Sequence, residues 1–406
     1  MKILIIGGGG REHAIAWKIH TDDPKTIIFA VPGNGGMDHI ASCVPLDIND
    51  HQALLGFAIA HDIDLTLVGG EEPLSKGIID LFSGNGLKTF GPTQKAAQIE
   101  SSKRFAKDLM KNYDIPTAAY QVFDDYEKAI VYIDKQCLPI VIKADGLAAG
   151  KGVIIAMNHL EARTACQTLL KKHRYIVVEE YLQGIEFSLM AFVNGNTVVP
   201  MAVAQDYKRV GNGGKGPNTG GMGAYSPVPS ISRGTITLAM ETIMKPIAKA
   251  MVDEGIPFTG ILYGGLMKTP TGVKVIEFNA RFGDPETEVV LVRMKSKLVD
   301  TIFKILNHEP LSLRFAHNFA VGVVLASDGY PNDYEKGKAI TIPQISEGIC
   351  FHMGTQLKNG IFVNSGGRVL IVVAAEPTLA LARKKAYESI ASATNESLFY
   401  REDIGL

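Results

Sequence analysis

The stretch Lys2-Ile3-Leu4-Ile5-Ile6, followed at once by Gly7-Gly8-Gly9-Gly10, constrains the fold more than any other. Four branched aliphatics in succession are too few for a helix and suit a strand covered on both faces. The glycines let the chain turn directly into a helix from about Arg11, whose first N–H groups can hold an anion. The same order then repeats, with a strand from Thr26 to Val31, a helix near Asp50 to Ala60 and a strand from Asp64 to Val68. Gly69-Gly70-Glu71-Glu72-Pro73 leads into a further helix with proline near its first turn. Strands alternating with helices predict a doubly wound parallel sheet. Its ligands belong at the carboxyl ends of the strands, where Gly7 to Gly10, Pro32 to Gly36 and Gly69 to Glu72 all fall.

A dinucleotide site would need more. Glu12 stands where the third glycine of G-x-G-x-x-G belongs, and the second strand ends in Pro32-Gly33-Asn34 instead of a ribose-binding acid. An NAD-linked oxidoreductase is thereby disfavoured. The turn reads as a phosphate loop, with Gly8, Gly9, Gly10, Gly33 and Asn34 as its candidate contacts.

The pattern shifts near Gly91-Pro92. Gln94 to Tyr113 reads as helix and carries Lys103, Arg104 and Lys107. Leu138 to Lys143 and Val153 to Ala156 read as strands joined by Ala144-Asp145-Gly146-Leu147-Ala148-Ala149-Gly150-Lys151-Gly152, either a phosphate lid or a plain hairpin loop. A strand from Tyr175 runs into Glu179-Glu180-Tyr181-Leu182, with Glu186 beyond a short turn, where an acid could accept from ribose hydroxyls or simply be solvated. Asn194-Gly195 marks a hairpin. Gly211 to Gly223 shows no apolar periodicity and is expected to lack structure of its own, hence to be functional or disordered. Helix is expected over 232 to 253. From about Ala320, strands and a helix near Thr378 to Ala393 alternate and offer little chemistry.

The densest chemistry lies in Glu277-Phe278-Asn279-Ala280-Arg281-Phe282-Gly283-Asp284-Pro285-Glu286-Thr287-Glu288, which ends a strand and starts a helix. Alternation sends Glu277, Asn279 and Arg281 to one face and Phe278 and Ala280 to the other. A carboxylate and an amide so placed could give a hard cation part of its oxygen shell, substrate phosphates and water giving the rest, with Arg281 beside them for an anion. A solvated edge strand is the alternative.

Charge and cysteines narrow the partners. Lys+Arg 41 against Asp+Glu 42 leaves a formal net charge of -1, so nothing points to nucleic acid or an anionic membrane, and phosphate binding must come from local placement. Cys43, Cys137, Cys166 and Cys350 form no C-x-x-C and read as small core residues in a reducing cytoplasm. The opening apolar run is too short for a signal peptide, and no stretch is long enough to span a bilayer.

Taken together, Gly7 to Ala14, Pro32-Gly33-Asn34, Lys143 to Gly152, Gln205-Asp206, Gly216 to Pro227, Glu277 to Glu288 and Ser365-Gly366-Gly367-Arg368-Val369 resemble one family from end to end. It is the phosphoribosylamine-glycine ligase (glycinamide ribonucleotide synthetase) family of the ATP-grasp superfamily. The resemblance implies an α/β chain in three parts: an N-terminal doubly wound domain over 1–100, a two-lobed ATP-grasp core over 101–310 with its small lobe at about 115–185, and a small C-terminal α+β domain over 320–406. It implies ATP-driven condensation of glycine with 5-phosphoribosylamine through glycyl phosphate, in purine synthesis, by a cytoplasmic monomer. ATP and magnesium or manganese would be the cofactors, with no nucleic acid or membrane partner.

Carried onto this sequence, Lys103, Lys143 and Lys151 would contact ATP phosphates, Glu179 to Leu182 would form the adenine hinge, and Glu186 would take the ribose. Glu277 and Asn279 would be the metal ligands. Asp206, Arg281 and Lys143 would serve the reaction, with Asp206, Arg281 and Gly283 joining the glycines of the N-terminal turn as substrate contacts. Two departures stand out. Gly264-Gly265-Leu266-Met267 lacks a carboxylate common on that strand in ATP-grasp enzymes, and Gly211 to Gly216 lacks acids expected in relatives, with Tyr207 in place of a frequent histidine. Another ATP-grasp carboxylate-amine ligase and a nucleotide-binding regulatory module remain as alternatives.

Overall fold

The computed structural model describes residues 1–147, 152–343, 345, 348–393 and 395–406. Its opening apolar run is the centre of a five-stranded parallel sheet. Strands β1 (Lys2–Gly7), β2 (Ile27–Pro32), β3 (Ser42–Cys43), β4 (Leu65–Val68) and β5 (Thr89–Phe90) lie in the order β3-β2-β1-β4-β5. Ile3 to Ile6 are wholly buried, as a strand covered on both faces requires. Strand order reverses at β1, which places a crevice at its carboxyl end, beside Gly7 to Gly10.

The next sheet is antiparallel and forms a small lobe. It orders β6 (Tyr120–Phe123), β7 (Ile140–Ala144), β8 (Val153–Ala156) and β9 (Ile176–Glu180) as β6-β9-β7-β8. Helices Tyr126–Ile133 and His159–Leu170 pack on it, each begun by a side chain, Asp125 or Asn158, that accepts from an N–H three residues on. Ile140, Ile142, Ile176 and Val178 enter the lobe's own core. Alternation therefore gives Val141, Lys143, Ile155 and Glu179 to the opposite face, which lines a cavity.

The facing lobe is built from β10 (Ile185–Asn194), β11 (Thr197–Pro200), β16 (Thr259–Thr269) and β17 (Gly272–Asn279), in the order β11-β10-β16-β17. The Asn194-Gly195 turn closes the hairpin of β10 and β11, with Gly195 at φ +56°. A fourth sheet orders β12 (Gln205–Asp206), β15 (Gly223–Ser226), β18 (Phe319–Ser327), β22 (Arg368–Glu376) and β19 (Ile349–His352) as β12-β15-β18-β22-β19, with β23 (Leu398–Phe399) beside β18. Helix Leu379–Ala391 packs on β18 and β22. The C-terminal sheet thus takes two strands from the middle of the chain, and Asp206 sits on one of them.

Three local expectations change. Gly211 to Gly223 is not structureless: β13 (Arg209–Gly211) and β14 (Lys215–Asn218) pair as a hairpin, and Gly213 and Gly214, at φ +68° and +69°, make the reversal that other residues resist. The helix expected over 94 to 113 breaks at Ser102, whose hydroxyl caps a new helix, Lys103–Asn112, by accepting from Phe105 N–H. The helix over 232 to 253 runs through one π-helical turn, Met240–Met244. A small hairpin, β20 (Thr355–Lys358) with β21 (Ile361–Asn364), completes the strands among the described residues. No helix among them is long and apolar enough to cross a membrane.

The N-terminal and C-terminal sheets meet through two histidines. His352 N–H donates to His13 Nδ1 at 3.0 Å, and Asn34 Nδ2 donates to His352 O at 2.8 Å. Burial, then neighbouring imidazoles, lowers both rings from 6.5, His13 to about 3 and His352 to about 4. Unfolded chain titrates these groups near 6.5, so below that pH it binds protons that the native contact refuses until about 4. Their stabilising effect is whole above pH 6.5 and falls as pH drops from there. Each histidine should cost about 2 kcal/mol by pH 5. His13→Asn should therefore show a smaller stability loss between pH 7 and pH 5 in urea unfolding; a loss equal to that of the parent would contradict the assignment.

Candidate active site

A cavity of about 930 Å³ lies between the two lobes and reaches the carboxyl edge of the N-terminal sheet. At one end Val141, Ile155, Leu182, Met267 and Ile276 form an apolar slot, suited to a flat heterocycle. Glu186, Lys208, Glu277 and Asn279 line the middle, and Arg11, Asp206, Tyr263, Arg281, Glu286 and Arg368 line the far end.

Glu277 and Asn279 reach the cavity because β17 alternates as expected, with Phe278 and Ala280 buried behind them. Pairing with β16 slips by one residue between Gly265 and Leu266, leaving Ile276 without a register partner. This bulge frees the Ile276 carbonyl, which accepts from Lys143 Nζ at 2.9 Å. The strand that carries the acid therefore also holds a lysine across the gap between lobes.

Lys143 and Lys107 both bind the buried Glu179 carboxylate, at 2.9 and 3.1 Å from Oε2. Glu179 therefore holds the lysines with its side chain, and it lines the cavity as Leu182 does. Burial, only partly offset by Glu179, lowers Lys107 from 10.5 to about 8. Lys103 Nζ donates to Gly146 O at 2.9 Å, and its helix starts where Asp145 accepts from Arg104 N–H at 3.1 Å. Lys151 lies outside the described residues.

Lys208 was not singled out by sequence reasoning. Its ammonium is paired with Glu186 and stands 3.8 Å from Glu277 Oε1. Burial alone would raise the Glu277 carboxyl, but Lys208, Lys143, Lys103 and Arg281 together hold it below the ordinary carboxylate range. A divalent cation fits here. One anionic oxygen and one amide face the cavity, a cation already stands against that oxygen, and no group of three or more potential His, Cys, Asp or Glu ligands exists among the described residues. Water and other oxygen ligands would complete such a shell.

Arg281 lies just past the end of β17, its guanidinium 3.1 Å from Glu100 Oε1 and 3.4 Å from Glu71 Oε2. Burial opposes its charge, yet Glu100 and Glu71 prevail and keep it raised. Beyond it, Glu286 opens a helix, Glu286–Arg293, and its Oε1 accepts from Tyr263 OH at 2.7 Å and Ser188 Oγ at 2.8 Å. Asp206 on β12 completes this end. Its carboxyl is raised well above the ordinary value by burial and then by Glu286.

The N-terminal glycine turn is braced from within the chain. Gly9 N–H donates to Glu12 Oε2 at 2.5 Å, and a Cβ at Gly7 or Gly69 would collide with that same carboxylate. Glu12 thus fills, from within the chain, the cradle in which an anion was expected, and it binds Arg11 Nε at 2.6 Å. Gly8 backs directly onto Gly33 O, and Gly33 at φ +71° packs on Cys43. Gly10 abuts Glu288. Asn34 Nδ2 is occupied by the carbonyls of Gly8 and His352, at 3.0 and 2.8 Å. These five residues hold the turn's shape, while Arg11 and Glu71 are the residues that line the cavity. Gly283 N–H likewise points to Met190 Sδ at 3.3 Å.

Comparison with known proteins decides the kinship. Residues 1–100, 101–287 and 320–406 match the N domain, ATP-grasp (A) domain and C domain of phosphoribosylglycinamide synthetase. The chain belongs to the phosphoribosylglycinamide synthetase family. It is 48% identical over 413 residues to the phosphoribosylamine-glycine ligase of Halalkalibacterium halodurans, covering all of this chain and 96% of that one. Identity to the Listeria innocua ligase is 49% over 417 residues, covering 100% and 99%. The crystal structure of the Thermotoga maritima ligase superimposes with a TM-score of 0.87 at 35% identity over the full length of both chains. A biotin carboxylase from Campylobacter jejuni gives 0.77 at 14% identity, covering 100% of this chain and 94% of that one, which shows a shared fold alone.

Within this family frame, Glu277 lines the cavity beside Asn279 with Lys208 3.8 Å away, so Glu277→Ala should lower kcat by at least about 100-fold with an unchanged melting temperature. Full turnover of that variant at ordinary metal concentration would remove Glu277 from the site.

Proposed function

We infer that the chain is an ATP-dependent ligase that joins the carboxylate of glycine to the amine of 5-phosphoribosylamine, giving glycinamide ribonucleotide, ADP and phosphate in purine biosynthesis. The observation that carries this is a family match spanning all three regions, around a cavity that sets lysines opposite Glu277 and Asn279. ATP would lie with adenine in the apolar slot near Leu182, its ribose at Glu186 and its phosphates toward Lys103, Lys143 and Lys208. Magnesium is the metal best suited to Glu277 and Asn279, and when bound it would neutralise charge between phosphate oxygens.

A free carboxylate resists attack by an amine until one oxygen becomes a better leaving group. In the reading proposed here, a carboxylate oxygen of glycine attacks the γ-phosphorus of ATP, the bond to ADP breaks, and glycyl phosphate forms. The amine of phosphoribosylamine then adds to its carbonyl, phosphate leaves and a proton is lost. Phosphoryl transfer between anions needs fixed positive charge more than a strong base, and Lys143, Lys208 and Arg281 supply it. Arg281, preset by Glu71 and Glu100, orients an anionic group at the junction between ATP and the far end of the cavity. In this reading the substrate phosphate lies near Arg11, which belongs to helix Gly10–Asp22.

Two measurements test this. With glycine carrying oxygen-18 in its carboxylate, one labelled oxygen should appear in the released phosphate per turnover; unlabelled phosphate would mean that ATP activates the other substrate or is merely hydrolysed. Arg11→Met should raise KM for phosphoribosylamine about tenfold or more while KM for ATP moves little. Equal rises in both would place the ribose phosphate elsewhere.

A further inference from the structure

The β13–β14 hairpin has no packing to hold it where it stands. Its tip, Gly213 and Gly214, lines the cavity, and its root follows Lys208, which pairs with Glu186 and Glu277 beside the place given to the ATP phosphates. A two-stranded hairpin alone is at best marginally stable in water. This one is exposed from Asn212 to Pro217, and a Cβ at either tip glycine would meet no atom within 4 Å. Among the described residues, its hydrogen bonds to the rest of the chain all go to one short segment, residues 401–403. Gly213 N–H donates to Asp403 Oδ2 at 2.8 Å, Glu402 N–H donates to Asn212 Oδ1 at 2.9 Å, and Arg401 Nη1 donates to Arg209 O at 2.7 Å. That segment is itself anchored. Arg401 is buried, donates to both oxygens of Asp403 at 2.7 and 2.6 Å, and lies 4.9 Å over the Tyr207 ring. The bond from Arg401 holds the Asp403 carboxyl below its ordinary range, so it stays an acceptor. Tyr387 OH donates to Arg401 O at 2.6 Å, and Ile404 is fully buried. Tyr207 OH accepts from Gly405 N–H at 2.9 Å, so the tyrosine that departs from relatives belongs to this anchor.

We propose that Asn212, Arg401 and Asp403 fasten the β13–β14 hairpin over the middle of the cavity, so that a segment 190 residues downstream keeps water from the acyl phosphate during the reaction. This rests on the ligase reading above. An acyl phosphate meets water as it meets an amine. Water adds to the carbonyl carbon, the bond to the phosphate oxygen breaks, a proton is lost, and glycine and phosphate leave. ADP has then been made with no amide to show for it, so the enzyme gains by a cover that stays shut. The glycines of the tip let the hairpin adopt other arrangements without steric cost, and the closed one must be selected by its partners. None of the three fastening residues needs to touch a reacting atom. They are positioning residues that act through the backbone of 209–218.

The test loosens the contact from either side. Asp403→Ala removes the acceptor of Gly213 N–H, and Asn212→Ala removes the acceptor of Glu402 N–H from an exposed position while Arg401 keeps its partner. Trypsin cleavage after Lys215, followed by mass spectrometry, should quicken about fivefold or more in both variants, the gain in open population for one lost hydrogen bond. In steady state, ADP released per glycinamide ribonucleotide should rise from one to about 1.5 or more, with KM for ATP raised about threefold. Asn212→Asp keeps an acceptor and should match the parent in all three readings. Because Asp403→Ala also leaves the Arg401 guanidinium unpaired, Asn212→Ala decides the matter if that variant fails to fold. The proposal is overturned if cleavage after Lys215 is unchanged, or if Asn212→Asp behaves as Asn212→Ala does. It is equally overturned if cleavage quickens while ADP and product stay one to one, since the contact would then hold structure alone. Failure of the underlying reading is distinct: the unaltered protein would then form no glycinamide ribonucleotide, and the cleavage rates would still report whether residues 401–403 hold the hairpin.

Discussion

The active cavity depends on Glu179, a buried carboxylate that holds two lysines from different elements. Lys107 comes from a helix preceding the small lobe and Lys143 from a strand within it, and both meet Glu179 Oε2. A lone buried ammonium is expensive, and the low value of Lys107 records that cost even with its partner present. With the pair in place, Lys143 can also reach the Ile276 carbonyl on the facing lobe. One carboxylate thereby fixes the position of positive charge across a gap that hydrophobic packing alone would leave unregistered. The same logic recurs at Arg281 with Glu71 and Glu100, and at Lys208 with Glu186 and Glu277. Each cation at the cavity is oriented before any phosphate arrives, which reduces the reorganisation that binding and phosphoryl transfer would otherwise require.

What the sequence could disclose followed periodicity. Alternation placed Glu277 and Asn279 on one face with Phe278 and Ala280 behind them, and the strand-glycine-helix order at the N-terminus set the parallel sheet and the side on which its turns cluster. What it could not disclose is partnership across long separations. Lys143 and Ile276 are 133 residues apart, and the partners of Lys208 come from two different strands. Glu286 lay within a stretch already marked as chemical, but its orientation depends on Tyr263 and Ser188, which carry no local signal. The spacing Asp206-x-Lys208 was the one available hint, since it puts an acid and a base on the same side of an extended segment.

Glu12 shows how a motif that fails in sequence can be explained in structure. The residue in the third-glycine position is not a neutral substitution, because its carboxylate folds back under the turn and bonds Gly9 N–H. A phosphate approaching the same donors would meet that negative charge. The helix macrodipole, which elsewhere draws a ligand anion, is here satisfied by the chain itself and used to hold Arg11 at the cavity wall.

The C-terminal sheet, which offered little chemistry in sequence, is what holds the far end of the cavity. Asp206 lies on a two-residue strand that pairs with Gly223–Ser226, and that strand in turn pairs with Phe319–Ser327 of the C-terminal region. Arg368, at the head of the next strand, bonds Gly220 O at 2.8 Å and Asp284 Oδ1 at 2.7 Å, joining the glycine-rich segment to the turn after Arg281. Tyr330 OH accepts from Gly220 N–H at 3.0 Å. A two-residue strand has no stability of its own, so the position of Asp206 relative to Glu286 is set by packing contributed from more than 100 residues downstream. The acid pair at the substrate end is therefore a product of the whole chain, whereas the Glu277–Asn279 pair is a product of one strand.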